Sequence, residues 1–437
     1  MQRAIGKRAE PWNTGAVLTI GFATTTAMWT AGYLLRLPGV ELPPPVVFFV
    51  MLIIFFSGSA FLGSRTTGVL PAILHGVLVI LLNMLILGGL LSEANGSAPA
   101  PPAYLLVPGS FVFGAVLSLL GGVLGKSAFK AKAQDVNWQH NFSIVCALST
   151  FILMVIGALV TTHQAGLAVP DWPTSFGYNM FLYPLSRMTG GVYYEHSHRL
   201  FGALIGLCVL ALAIYLQISG AGRLVKLLAW LAFITVVVQG VLGGARVTGT
   251  ISLASPTVPS PSPQLAVVHG VLAQILFGLI VLIAVTTSRA FLAEEAPFKP
   301  ERIDKLLTQL LLLFILLQLI LGALLRHMDG SILVHTVVAV VILVLALKTG
   351  QRVIHAFKDV FAITRVGRVI IFLVVLQFLL GLTSWLLNWY INYFSVYLTA
   401  YLNAEMFFRT AHQAVGALLL GSTVILFAFM QMKPANQ

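Results

Sequence analysis

Runs of about twenty apolar residues, long enough to cross the hydrocarbon of a bilayer, recur twelve times along this chain. They cover residues 16–36, 45–63, 69–92, 104–124, 143–162, 195–217, 227–245, 264–287, 306–325, 332–350, 367–388 and 410–431. Only 9% of the 437 residues are charged, too few to cover a soluble surface, so lipid is the solvent for most of the chain. Peptide groups in lipid must satisfy one another, which predicts helices: an all-α polytopic membrane protein with twelve transmembrane helices. The first run begins near Gly15, is too long for a signal-peptide core and has no small-residue cleavage site after it. It therefore reads as a retained span.

The net charge of +12 would point to nucleic acid in a soluble protein. In a membrane protein the simpler expectation is that basic residues collect in cytoplasmic loops, with no nucleic-acid partner. With the N-terminus inside, 19 of the 25 Lys and Arg fall on the inner face, including Arg65, Lys126, Lys130, Lys132, Arg352 and Arg368. That asymmetry predicts cytoplasmic N- and C-termini in a bacterial inner membrane. Six arginines remain outside: Arg36, Arg187, Arg199, Arg246, Arg326 and Arg409. Cys146 and Cys208 sit inside apolar runs and read as small packing residues.

Two outer stretches interrupt the helical pattern. Residues 92–102 are polar and proline-rich and include a formal glycosylation triplet at Asn95. Residues 163–194 form the longest outer loop, with Pro170, Asp171, Trp172 and Pro173. A basic linker, 126–142, separates a first four-helix region, 1–125, from the last eight spans.

Those eight spans repeat a pattern, and internal repeats outrank single motifs as evidence. Gln239, Gln318 and Gln377 are each followed four residues later by a glycine: Gly243, Gly322 and Gly381. Spacing of four puts both on one helix face, where the small residue admits a neighbouring helix or a flat ligand. The fifth span has Gly157 at the corresponding place without a glutamine. Each alternate span opens near its outer end with a histidine: His198, His269, His335 and His412. Each of these has a small residue at i+4, namely Gly202, Ala273, Ala339 and Gly416.

A single histidine at a helix end is ordinarily an interhelical hydrogen-bonding residue. Four at equivalent places of a repeat, each with room beside it, read as ligands, because ionisable groups inside a membrane are costly. One tetrahedral zinc would need all four on one ion. Paired hairpins more naturally make two sites, and two histidines facing across a four-helix bundle suit the axial ligation of haem iron. Arg199, Arg246, Arg326 and Arg409 would then meet the haem propionates, against a simpler role as interfacial residues.

Glu195 lies one turn before His198, whereas the second half carries only Asp329 in a loop and Glu405, expected outside the helix. A carboxylate beside one pocket implies that the first pocket reacts and the second serves it; the plainer alternative is an i,i+4 ion pair with Arg199. His163 and His196 read as surface or loop residues, and His75 matches none of the four.

The string GLAVPDWP (166–173), Glu195-x-x-His198-Arg199, QGVLGGAR (239–246), His269-Gly270, LGALLR (321–326), His335 and Thr410-Ala-His412 together resemble the haem A synthase family over residues 143–431. The resemblance implies two four-helix bundles, 143–290 and 291–437, related by a pseudo-twofold axis along the membrane normal. It implies oxidation of the C8 methyl of haem O to a formyl group for cytochrome c oxidase assembly, a membrane oxidoreductase activity. His198 and His269 would flank the substrate haem O, His335 and His412 would ligate a haem b, and Glu195 would act at the reacting edge. Haem O synthase or oxidase assembly proteins would be partners. Some family members carry cysteines flanking the loop tryptophan, where this chain has Val169 and Ser175. Residues 1–125 match no part of the family pattern. A bis-histidine dihaem b-type cytochrome with an electron-transfer role only is the alternative; a transporter fits poorly, because the repeat divides four, then four plus four.

Overall fold

The apolar runs fold into helices because each spans enough residues to close its own hydrogen bonds over a bilayer's thickness. The structure, a computed structural model, describes residues 13–93, 103–128, 136–249, 262–292, 299–395 and 397–431. The Asn95 triplet, most of the basic linker with Lys130 and Lys132, and Arg3, Lys7, Arg8 and Lys433 lie outside the described residues. The helices are α1 (Thr14–Leu35), α2 (Pro44–Arg65), α3 (Leu70–Glu93), α4 (Ala103–Ala128), α5 (Trp138–Thr162), α6 (Gly190–Ile218) and α7 (Arg223–Thr248). They continue as α8 (Pro263–Thr286), the short α9 (Arg289–Leu292), α10 (Arg302–His327), α11 (Ile332–Ala356), α12 (Phe361–Phe394) and α13 (Thr399–Met430).

Among the described residues ten helices are long and apolar enough to cross a membrane, so the protein is an all-α, multi-pass membrane protein. The expected count of twelve would need α1 and α3 as well. Threonines 19, 24, 25, 26 and 30 dilute α1, and the apolar part of α3 counted among the described residues is Leu70–Ile86.

The contacts divide the chain into two units. The first holds residues 1–149 and 173–226, the second residues 150–172 and 227–437. In the first unit α1 to α4 pack together, and α1 and α3 also pack against α6. Close approach is made by small residues: a Cβ on Gly63 would collide with the Gly122 carbonyl, so only glycine lets α2 and α4 meet there. His75 is fully buried among hydroxyls from the other three helices. Its Nδ1 lies 3.0 Å from Ser118 Oγ and 3.5 Å from Ser59 Oγ, and its Nε2 lies 3.4 Å from Thr24 Oγ1. Such partners remove the cost of burying a polar ring in lipid. On α6, Trp29 meets Phe201 edge-on at 5.5 Å, and Tyr33 stacks on Tyr193 at 5.3 Å. The first four helices therefore back the helix that carries Glu195 and His198. Cys146 and Cys208 are buried, neither is in a disulfide, and their Sγ atoms lie 3.0 Å apart.

In the second unit α10 to α13 close a ring of neighbours, α10 on α11, α11 on α12, α12 on α13 and α13 back on α10. Helix α8 packs on α13 and α10, with Gly421 receiving the Phe277 ring and Gly278 facing Leu420 and Val424. At one end Glu301 and Asp304 form a capping box on α10, and Arg352 of α11 pairs with both, at 2.7 and 2.5 Å. Helices α12 and α13 extend well beyond the predicted spans 367–388 and 410–431. At 34 residues α12 is about 50 Å long, against about 30 Å of hydrocarbon.

Candidate functional site

The three glutamine–glycine faces meet His269, His335 and His412 within the second unit, while His198 belongs to the first. Gln239 of α7 donates from Nε2 to the backbone carbonyl of His269 at 3.0 Å. Gln318 of α10 makes the same bond to the His335 carbonyl at 3.0 Å, and its Nε2 also lies 3.2 Å from His335 Nε2. Gln377 of α12 lies 3.3 Å from His412 Nε2, while His412 Nδ1 donates to the Gln377 carbonyl at 3.0 Å. The glycine one turn on receives the imidazole edge. A Cβ there would lie 3.4 Å from Cε1 of His269 at Gly243, 3.2 Å from that of His335 at Gly322, and 2.7 Å from that of His412 at Gly381. The room left by these glycines is filled by the histidine of the next helix. The small residue after His412, Gly416, faces Gln377.

His335 and His412, from alternate helices of one bundle, lie within electrostatic range of each other. Three of the four arginines expected to meet propionates gather in the same unit. Arg326 is in range of Arg409 and Glu405, and His327 is in range of Arg246 and Arg326. Arg326 donates to the Thr161 carbonyl at 2.8 Å, and Arg409 donates to Asn388 Oδ1 at 2.8 Å while pairing with Glu405. Guanidiniums gathered in this way are suited to binding carboxylates. His327 joins this cluster although the sequence reading passed over it; its signal was adjacency to Arg326.

Glu405 corrects an expectation. It lies inside α13, which starts eleven residues earlier than the apolar run because the stretch before Thr410 is also helical. The second half therefore has a Glu–Arg pair of its own, Glu405 with Arg409, comparable with Glu195 and Arg199.

In the first unit Arg199 Nε donates to Glu195 Oε1 at 3.1 Å, with both side chains under 10% exposed. Arg199 Nη1 also donates to the Thr174 carbonyl at 3.1 Å. Thr174–Ser175 and Tyr178–Asn179 form a two-stranded hairpin (β1 and β2), turned at Phe176 and Gly177 with φ of 51° and 78°. His196, expected at the surface, is fully buried: Ser175 Oγ lies 3.1 Å from its Nδ1, and the Tyr183 ring centroid lies 4.9 Å from its own. Helix α6 starts at Gly190, five residues before the apolar run, so His196 faces the loop it fastens. Burial also pushes the Tyr183 phenol above its ordinary value. His163, expected in the same class as His196, is half-buried, with Nδ1 2.9 Å from the Leu159 carbonyl. No described atom lies within 4 Å of a Cβ built on Gly202 or Gly206, so α6 has room one and two turns beyond His198.

The loop string and the end of α7 are packing partners in the second unit. A Cβ on Gly244 would collide with the Trp172 indole, and one on Gly166 would sit 3.1 Å from both terminal nitrogens of Arg246. Val169 is fully buried. GLAVPDWP and QGVLGGAR thus specify one contact between them.

Residues 140–336 match the family model described as cytochrome oxidase assembly protein. The haem A synthase of Exiguobacterium sibiricum is 27% identical over 197 residues, which are 44% of this chain and 61% of that protein. These matches are a likeness to proteins of that name over less than half of this chain. The haem A synthase of Lysinibacillus sphaericus is 32% identical over 116 residues, 25% of this chain and 36% of that protein. The haem A synthase of a second Exiguobacterium is 32% identical over 108 residues, 24% of this chain and 35% of that protein. The chain thus spans less than two thirds of the length of each of these relatives. The family match includes Glu195, His198, His269 and His335 and ends before Arg409 and His412.

Proposed function

We propose that the chain is a haem A synthase, a membrane oxidoreductase that converts the C8 methyl of haem O to a formyl group for cytochrome c oxidase assembly. The observation that carries this is the threefold Gln–Gly face, each holding a histidine, with His335 and His412 in range of each other inside one closed bundle. The segment matched by the family model, residues 140–336, contains three of the four histidines.

These residues suit a haem. His412 donates from Nδ1 to a backbone carbonyl, which makes Nε2, 3.3 Å from the Gln377 amide, the nitrogen a metal would take over. Arg246, Arg326 and Arg409 supply guanidiniums of the kind that pair with propionates. His335 and His412 would hold a haem b in the bundle 291–437. Bound there, it would supply electron transfer. His198 and His269 are assigned to haem O from the sequence repeat, as the axial residues of 143–290. Glu195, its buried charge offset by Arg199, would accept a proton or stabilise positive charge developing at the reacting methyl. The setting would be a bacterial cell membrane with both termini cytoplasmic, with haem O delivered by its synthase.

The matching Glu405–Arg409 pair favours one other reading, a dihaem b-type cytochrome that only carries electrons, because a carboxylate no longer distinguishes the two halves. Expression in a host that makes haem O but not haem A separates the two. Wild type should yield haem A or its alcohol precursor, and Glu195→Ala should accumulate haem O. A fully haem-loaded wild type that makes neither would refute the synthase reading.

A further inference from the structure

Three glutamines contact three histidines in the same way, and the donor–acceptor logic of those contacts goes beyond orientation. A backbone carbonyl only accepts. The Gln318 amide must therefore turn its NH2 towards the His335 carbonyl, 3.0 Å away, since the opposite flip would set oxygen against oxygen. The same NH2 then faces His335 Nε2 at 3.2 Å, which can only accept. His335 is driven to carry its hydrogen on Nδ1. At His412 the same conclusion follows from the other side of the ring. Nδ1 faces the Gln377 carbonyl at 3.0 Å and must be the donor, and Nε2 faces the Gln377 amide at 3.3 Å. Two independent arrangements select one tautomer. The glycine at i+4 leaves the space that Cε1 enters, most closely at Gly381, where an added Cβ would lie 2.7 Å from it. Gln239 repeats the carbonyl bond, and Gly243 the edge contact, at His269.

We infer that Gln318 and Gln377 are positioning residues that hold His335 and His412 as Nδ1–H imidazoles in the haem-free chain, each amide donating to the Nε2 lone pair that an axial metal would take over on binding. The inference rests on the haem reading for its purpose, but the tautomer itself does not need haem. A buried amide suits this role because it is uncharged and can donate twice from one nitrogen; a carboxylate could do neither. The fifth span, which has Gly157 but Leu153 in the glutamine's place, lacks the device.

The test is 15N NMR of the haem-free full-length chain labelled at histidine, with His335→Asn and His412→Asn assigning the signals. Wild type should show both rings as Nδ1–H. Gln318→Glu places an acceptor where the donor stood and should invert His335 to Nε2–H, while Gln377→Glu should leave His412 with hydrogen on both nitrogens, because the residue 377 carbonyl still accepts from Nδ1. Gln318→Met, which keeps the bulk, should leave a mixture at His335, and Gln377→Met should keep His412 as Nδ1–H. In the haem-loaded chain each substitution should weaken haem retention by about 10–100-fold, the range for outer-shell partners, and shift the midpoint potential. Wild-type rings found as Nε2–H, or glutamate variants with unchanged tautomers, would overturn the inference. Should Gln318→Glu fail to fold, a Gln318→Met chain that keeps a pure Nδ1–H signal at His335 would overturn it equally. A wild type that takes up no haem, beside a Gln318→Glu chain that does invert His335, would sink the proposed function and leave the tautomer lock standing.

Discussion

The three histidine-facing glycines form an internal series in which one chemical change is applied at graded distances. Alanine at Gly243 places Cβ 3.4 Å from His269 Cε1, an ordinary van der Waals contact. At that position alanine should gain up to about 1 kcal/mol of helix propensity and lose nothing. At Gly322 the contact is 3.2 Å, so the His335 ring must give by a few tenths of an ångström. At Gly381 it is 2.7 Å from Cε1 and 3.1 Å from Nδ1, so restoring an ordinary contact displaces His412 by about 0.7 Å. That movement stretches the 3.0 Å bond from Nδ1 to the Gln377 carbonyl beyond hydrogen-bonding distance. The cost is about 1–3 kcal/mol of overpacking plus about 0.5–1.5 kcal/mol for the lost bond, more than propensity can offset. Haem stoichiometry, midpoint potential and thermal unfolding in detergent should therefore rank Gly243→Ala as neutral or mildly stabilising, Gly322→Ala as intermediate and Gly381→Ala as the most damaging. Equal effects at all three, or the largest at Gly243, would refute the idea that these glycines exist to seat imidazoles.

Other expectations follow from contacts made within each unit. Trp29→Ala removes the edge contact with Phe201 and the indole bond to Asn83 Oδ1 at 3.1 Å, and should destabilise the first unit by about 3–5 kcal/mol, whereas Trp29→Phe should cost about 1 kcal/mol. Gly244→Val should eject the Trp172 indole, seen as a red shift and quenching of its fluorescence against a Trp172→Phe control. Asp304→Asn should weaken both the capping box and the Arg352 pair, costing about 1–3 kcal/mol at the end of α10, while leaving the haem spectrum unchanged.

Much of the architecture was legible in the chain because its signals are local. Apolar length specifies a helix in lipid without any knowledge of neighbours, so the positions of the spans were readable. The i,i+4 rule placed Gln318 with Gly322 and Gln377 with Gly381 on single faces. The same rule paired Glu195 with Arg199, the structural alternative that the structure displays. Helix ends were less legible, because polar residues beyond the hydrocarbon can extend a helix without an apolar signature. That is why Glu405 and His196 were first placed outside helices or at the surface.

Periodicity states which residues share a face, and it says nothing about what covers that face. The sequence alone determined a helical membrane protein with histidines repeated at equivalent places of alternate spans. Tertiary packing decided that the glycines receive imidazoles, that the glutamines bond to the histidine carbonyls, that the GLAVPDWP loop lies against the end of α7, and that the first four helices brace α6. Those contacts join residues far apart along the chain, and their partners are selected by complementary shape and hydrogen bonding between helices rather than by any pattern within one.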